Sequence, residues 1–500
     1  MSSDHFDVLI VGAGLSGIGA GYHLQKECPE KTYAILEGRD AMGGTWDLFR
    51  YPGIRSDSDM FTLGFAFRPW KGKKSIADGD SIASYIRDTA TENGVDKHIR
   101  FRHRVVSAAW SSQEAQWTVE TLAGEEQRPV TYTCNFLYFC SGYYNYENGF
   151  TPEFAGRDEF GGQIIHPQHW PENLDYRGKR IVVIGSGATA VTLIPSLAFD
   201  AKHVTMLQRS PSYVASLPAA DPIANLIRKI LPEKLAYALV RWKNVLLSMY
   251  FYQYCRRRPE RAKALLRKLA TSSLPSGFDV DTHFKPRYNP WDQRLCLVPD
   301  SDLFKAIGAG RASIVTDQID RFTETGILLK SGRELPADII VTATGLQLLM
   351  LGGVKVSVDG HEVQTGQAYA YKGVMLSDVP NCALAIGYTN ASWTLRAELA
   401  TKYITRLLNY MSSNGYTTCV APHDPSAATD QGMLNLTSGY VQRGAAFMPK
   451  QGSRSPWRVH QNYILDLAEM GYGKVTDQAL VFSRNSGAAP RAREESLVSV

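Results

Sequence analysis

The seven cysteines of this 500-residue chain (Cys28, Cys134, Cys140, Cys255, Cys296, Cys382 and Cys419) include no C-x-x-C pair, and their number is odd. That argues against a dithiol redox centre, a zinc site and a disulfide framework, and suits a reducing cytoplasm; no metal is expected. No apolar run is long enough to span a bilayer. A charged segment followed by a cleavable apolar stretch is also missing at the N-terminus, which runs almost directly into Phe6-Asp7-Val8-Leu9-Ile10-Val11. A large excess of either charge is missing too, with 54 Lys and Arg against 49 Asp and Glu. A formal net charge of +5 implies no nucleic-acid partner, although it is compatible with anionic cofactors or an anionic membrane surface. No short-period repeat is visible, which argues against a solenoid.

What is present is one supersecondary signature, written twice. Val8-Leu9-Ile10-Val11 runs into Gly12-x-Gly14-x-x-Gly17, and Ile181-Val182-Val183-Ile184 runs into Gly185-x-Gly187-x-x-Ala190. Continuous apolar runs of this length fit strands covered on both faces, as in parallel sheets. The glycines allow a tight turn, close approach of backbone to a pyrophosphate, and close packing of helix on strand, and the helix N-terminus offers its free N–H groups to phosphate. The fold class expected is α/β, with two Rossmann-like dinucleotide-binding domains.

The two copies differ where the second strand ends. After the first, Tyr33-Ala34-Ile35-Leu36 delivers Glu37, a carboxylate suited to free ribose hydroxyls and hence to FAD or NAD. After the second, His203-Val204-Thr205-Met206-Leu207 leads to Gln208-Arg209-Ser210. A guanidinium there holds a 2′-phosphate bidentately where a carboxylate would repel it, so this copy should take NADPH, with Arg209 and Ser210 at the phosphate. Two sites of opposite preference on one chain imply electron flow from NADPH to a flavin.

Further motifs carry a resemblance. Phe160-x-Gly162-x-x-x-His166-x-x-x-Trp170-Pro171, just before the second glycine motif, resembles the fingerprint of Baeyer–Villiger flavin monooxygenases. Gly43-Gly44-Thr45-Trp46 with Tyr51-Pro52-Gly53 and Asp57, and Asp338 with Ala343-Thr344-Gly345, are similar to that family's other signatures. The stretches Gly44–Asp57 and Tyr288–Arg294 point to a narrower group within it.

The resemblance implies an enzyme that uses FAD, NADPH and O2. A peroxide on the flavin C4a would convert ketones to esters or lactones, with sulfoxidation of thioethers or thioamides as a companion activity. Gly44, Thr45, Trp46, Thr344 and Gly345 join the cofactor-binding residues on this ground. It implies that Arg294 is the catalytic cation, with Asp57 beside it to position the guanidinium. It also implies a hinge or linker role for His166. Gln293 stands where many members carry a lysine that reads the 2′-phosphate, which leaves more weight on Arg209. A heteroatom-oxygenating flavin monooxygenase is the alternative within the fold, although that group usually lacks the Trp170-Pro171 ending. A nucleotide-sensing protein without catalysis would have no use for Asp57 and Arg294.

The FAD-binding domain is expected over 1–145 and 331–480, the NADP-binding domain over 146–215 and 290–330, and a helical insertion over 216–289; 483–500 has the composition of a disordered tail. In the insertion, Leu235, Leu239, Trp242, Leu246 and Met249 fall on one helical face. Packing on the NADP-binding domain is expected of it, with a lid, a subunit interface or peripheral lipid contact as alternatives. Trp170, Trp393 and Trp457 are expected to serve in packing.

Overall fold

The computed structural model describes residues 4–434 and 436–484. Two mainly parallel sheets organise the chain. In the first, strand β1 (Asp4–Val11) lies between β2 (Tyr33–Leu36) and the strand Arg128–Phe139, parallel to both, with α1 (Leu15–Glu27) packed on one face. The reason the second half of β1, Val8–Val11, is apolar throughout lies in its two faces. Val8 and Ile10 enter one core with α1 and the helix Trp393–Asn414, while Leu9 and Val11 enter a second core on the opposite face. An antiparallel meander, His103–Ser111, Gln116–Ala123 and Arg128–Phe139, extends the sheet. Trp110 opposes Trp117 in this meander, their rings 5.6 Å apart and both buried.

The second sheet is wholly parallel, in the order Ala312–Thr316, His203–Gln208, Arg180–Ile184, Ile339–Thr342, Gln163–Ile165. The same alternation holds, with Ile181 and Val183 in one core and Val182 and Ile184 in the other. The expectation of an α/β fold with two dinucleotide-type units is met.

Two passes of chain join the units. The outgoing pass Tyr144–Gly149 pairs antiparallel with the returning pass Leu346–Leu348. The strand Ile339–Thr342 belongs to the second sheet, so the return to the first unit begins after Thr342 rather than at 331. Asp338 starts that strand: it accepts the Arg180 backbone N–H at 2.7 Å and pairs with the Arg180 guanidinium at 2.6 Å, which holds its carboxyl down to about 2. At the C-terminus Ser483 is paired with Thr418 in a short ribbon, because Val481–Ser483 is a strand; residues 485–500 of the expected tail lie outside the described residues.

Helices Pro222–Ile230, Glu233–Arg257 and Pro259–Ser273 make up the insertion, and its packing differs from expectation. Leu235, Leu239, Trp242 and Leu246 are exposed. The buried side of the long helix is Ala236, Tyr237, Val240, Arg241 and Val245, and it rests on the first unit. Arg241 decides this. Its guanidinium donates to the Phe61 and Gly64 carbonyls at 2.8 and 2.7 Å and to Glu398 at 2.8 Å, and a buried guanidinium must sit where acceptors exist. The helix Pro259–Ser273 instead contacts the strand Val214–Leu217 beside the second sheet. Among the described residues, no helix is long and apolar enough to cross a membrane.

Candidate active site

At the first glycine motif, a Cβ on Gly17 would stand 1.9 Å from the Gly12 carbonyl oxygen, so only glycine lets α1 start this close to β1. Gly14 caps α1, and Gly44 lies against it in the loop that closes over the helix start. Thr45 Oγ1 is 3.3 Å from the Tyr146 hydroxyl, and Trp46 is half-buried on the core beneath α1. Glu37 emerges from β2 and is buried. It accepts the Ala13 N–H at 2.7 Å and the Arg39 N–H at 2.9 Å, while burial pushes its carboxyl up against those bonds. Glu37 therefore fixes the glycine turn, and its remaining lone pairs can still accept from a sugar.

At the second motif, Gly187 caps the helix Ala188–Leu197 and faces open space, and Ala190 is fully buried against the second sheet. Arg209 and Ser210 follow the strand His203–Gln208 and are exposed; the Arg209 side chain has no ion-pair or hydrogen-bond partner among the described residues. The Ser210 carbonyl accepts from Ser186 Oγ at 3.2 Å, tying the two loops together. Both sites therefore fit a dinucleotide: an unobstructed helix start, a glycine turn without side chains, and a side chain of suitable charge at the neighbouring strand end.

Between the units sits the pair Arg294–Asp57. Arg294 Nε donates to Asp57 Oδ2 at 3.0 Å and Nη2 reaches Oδ1 at 3.4 Å, with about a third of each side chain exposed (32% and 29%). Asp57 raises the Arg294 pKa even further above neutrality, against the desolvation of its surroundings. A pair this exposed contributes only about 0–1 kcal/mol of stability, so its use lies in orientation.

Both partners are held by contacts across the junction. The loop carrying Asp57 begins at Tyr51-Pro52-Gly53, where a Cβ on Gly53 would be 1.9 Å from Ser196 Oγ on the helix Ala188–Leu197. Arg55 bonds Asp302 of the second unit at 2.5 Å. The loop carrying Arg294 is pinned through Asp292, whose carbonyl accepts from the Thr437 N–H at 2.8 Å and whose carboxylate takes Arg256 of the insertion at 2.6 Å.

Tyr143, Tyr144 and Tyr440 face Arg294 closely enough to act on its charge, and burial raises all three phenols. Sequence reasoning missed these three tyrosines. The run Tyr143-Tyr144-x-Tyr146, directly after the Cys140-Ser141-Gly142 turn, was the visible signal of the first two. Trp393 belongs with them: its indole donates to Ser16 Oγ at 2.8 Å, and its ring lies 5.2 Å from Tyr143. Trp457 is buried in the core against Tyr371, and Trp170 packs on the second-unit core.

His166 lies at the crossing between units. The Gln168 N–H donates to Nδ1 at 3.2 Å, so Nε2 carries the proton and donates to the Gly345 carbonyl at 3.2 Å. Burial lowers its pKa and keeps the ring neutral in that role. Thr344 Oγ1 bonds the Phe150 carbonyl at 2.6 Å, and the Phe150 N–H returns to Gly345 at 3.0 Å. Thr344, Gly345 and His166 thus lace the two passes together rather than meeting the Arg294 pair.

Comparison with known proteins agrees with this geometry. The model of the flavin-binding monooxygenase-like family matches residues 75–413, and that of an NAD(P)-binding Rossmann-like domain matches residues 10–70. The chain is 56% identical over 483 residues to the FAD-containing monooxygenase EthA of Mycobacterium tuberculosis, covering 96% of this chain and 98% of that one. Among solved structures, a steroid monooxygenase bound to NADP (TM-score 0.74, 23% identity, 96% and 100% coverage) shares the fold. So does a cyclohexanone monooxygenase from Rhodococcus sp. Phi1 bound to NADP+ (TM-score 0.75, 20% identity, 97% and 100% coverage). With two dinucleotide-type units, a glycine turn at each and relatives of this identity along almost its whole length, the chain belongs to the flavin-binding monooxygenase-like family and is a flavin monooxygenase.

Proposed function

We propose that the protein is an NADPH-dependent Baeyer–Villiger monooxygenase that inserts one atom of O2 into ketones to give esters or lactones and also oxidises thioethers or thioamides. The balanced reaction takes ketone, O2, NADPH and a proton to ester, NADP+ and water. The observation that carries the reading is the Arg294–Asp57 pair, placed at the junction of the two nucleotide units.

Gly12, Gly14, Gly17 and the start of α1 hold the FAD pyrophosphate, Glu37 the ribose, and Gly44, Thr45 and Trp46 cover the cofactor. Gly185, Gly187 and Ala190 hold the NADPH pyrophosphate, and Arg209 and Ser210 its 2′-phosphate. Bound flavin, once reduced, supplies the activation of O2. Arg294 stays charged at any working pH and stabilises the negative charge that oxygen carries as it moves to the substrate. Asp57 holds the guanidinium plane by its two-point contact, and Tyr143, Tyr144 and Tyr440 stand near enough to act on its charge.

Aerobic turnover with NADPH and a panel of linear, cyclic and aryl ketones beside a thioether tests this, with products identified by mass spectrometry. Esters from at least one ketone class are expected. Sulfoxide with no ester from any ketone would assign the protein to heteroatom oxygenation instead.

Glu37→Gln gives a smaller, separate prediction. The amide NH2 cannot accept one of the two backbone N–H bonds and leaves it unsatisfied, a loss of about 1–2 kcal/mol. FAD affinity is expected to fall about tenfold, read as flavin lost on dialysis, with oxygenation per bound flavin unchanged.

A further inference from the structure

The loop that delivers Arg294 is held in a conformation that its own sequence disfavours. Trp291 takes φ +71°, in the left-handed region, where the Cβ of a bulky side chain crowds the backbone. Such a turn persists only where its surroundings over-determine it. The Asp292 N–H bonds the Asn289 carbonyl at 3.0 Å, and the Asp292 carboxylate accepts the Asn289 N–H at 2.9 Å, so the turn is closed from both sides. The Asp292 carbonyl accepts from the N–H and the hydroxyl of Thr437, at 2.8 and 2.9 Å. Only Gln293 then separates Asp292 from Arg294.

The end of the long insertion helix Glu233–Arg257 grips this turn from outside. Tyr252 meets the Trp291 ring edge-on at 5.6 Å, and Arg256 donates to Asp292 Oδ1 at 2.6 Å. Nearer its start the same helix is anchored in the first unit, where Tyr237 bonds the Phe65 carbonyl at 3.0 Å and Arg241 bonds Glu398 at 2.8 Å. At about 1.5 Å of rise per residue, the helix carries that anchorage roughly 20 Å from Arg241 to the turn. Arg256 and Asp292 are 41% and 28% exposed, so their ion pair adds little to stability and its loss should leave the fold in place.

Resting on the role assigned to Arg294 above, we propose that Asp292 and Arg256 are positioning residues. Through Arg256 the insertion holds the Asp292 turn, and the turn keeps the Arg294 guanidinium on Asp57. Among the described residues their hydrogen bonds go to Asn289, Thr437 and one another, not to either glycine motif. The effect of breaking them is therefore expected in oxygen transfer rather than in cofactor binding.

The test uses the holoenzyme with Arg256→Ala, Arg256→Lys and Asp292→Asn. The readouts are product and hydrogen peroxide formed per NADPH consumed, the KM for NADPH, the melting temperature, and crystal structures of the variants at the Arg294–Asp57 contact. In Arg256→Ala and Asp292→Asn, product per NADPH is expected to fall at least threefold, with peroxide making up the difference. The KM for NADPH and the melting temperature should stay unchanged, and Arg294 should leave its 3.0 Å contact with Asp57. Arg256→Lys should recover most of the yield, and adding Asp292→Asn to Arg294→Ala should lower it no further. Full yield in Arg256→Ala and Asp292→Asn, or a reduced yield with Arg294 unmoved, would overturn the proposal. Arg256→Ala, on an exposed helix end, decides the matter if Asp292→Asn loses its fold. If the unmodified enzyme oxygenates no substrate, the function assigned above fails by itself and the crystal structures judge the positioning: Arg294 displaced from Asp57 upholds it, and Arg294 in place removes it.

Discussion

Arg294→Ala is expected to lower the rate of product oxygenation between about 10²- and 10³-fold, the loss that accompanies removal of one preorganised donor to a developing oxyanion. NADPH consumption should continue, with hydrogen peroxide formed in near-equal amount. The split follows from where Arg294 sits. It takes no part in either glycine turn and touches neither Glu37 nor Arg209, so cofactor binding and flavin reduction are expected to survive its loss. What it offers is a permanent positive charge at the junction, aimed by Asp57 through contacts of 3.0 and 3.4 Å. On the proposed role, activated oxygen in the variant lacks a partner for its negative charge and should be released as peroxide. Arg294→Lys keeps the charge but not the planar fork that meets Asp57 at two points, so its coupling of NADPH to product should fall between the two. Parallel measurement of NADPH, oxygenated product and peroxide checks all three quantities. Full coupling in Arg294→Ala would remove this residue from the chemistry.

The second large effect concerns the choice of reductant. Arg209→Ala is expected to raise the KM for NADPH by about 10–100-fold, the equivalent of a charge-assisted hydrogen bond worth about 1.5–3 kcal/mol, while the KM for NADH changes little. The Arg209 side chain is exposed at the end of its strand and has no carboxylate partner among the described residues, so its removal leaves no buried group unpaired. The expected signature is a lost preference with an intact fold, read from steady-state kinetics with both nucleotides and from an unchanged melting temperature. Equal loss with NADPH and NADH would assign Arg209 to general positioning of the nucleotide.

How far the site was legible depended on whether its parts were neighbours in sequence. Each glycine motif announces itself because one apolar strand must serve two cores, as Val8 and Ile10 on one face and Leu9 and Val11 on the other do, and because the residue ending the next strand is fixed by geometry. Asp57 and Arg294 stand 237 positions apart, and only a resemblance to known motifs joined them before their contact was seen. The neighbouring tyrosines were harder, since Tyr440 comes from a segment with no motif and joins the core that holds Tyr143 and Tyr144 only in the folded chain. The insertion misled for a different reason. Periodicity reveals a stripe of leucines but not which stripe is covered, and here Arg241 and Tyr237, reaching backbone acceptors of the first unit, set the buried side and left Leu235, Leu239 and Trp242 outside. The return crossing was placed too early because Ile339–Thr342 reads as a generic buried strand, and nothing local says which sheet it joins.

The most direct test of a guanidinium that steers oxygen into substrate is turnover of a ketone under ¹⁸O2, with mass analysis of the ester and of the peroxide. One labelled atom per ester is predicted for the unmodified enzyme, and label almost entirely in hydrogen peroxide for Arg294→Ala. Equal labelling of the ester by both proteins, or an ester carrying no label, would contradict the account.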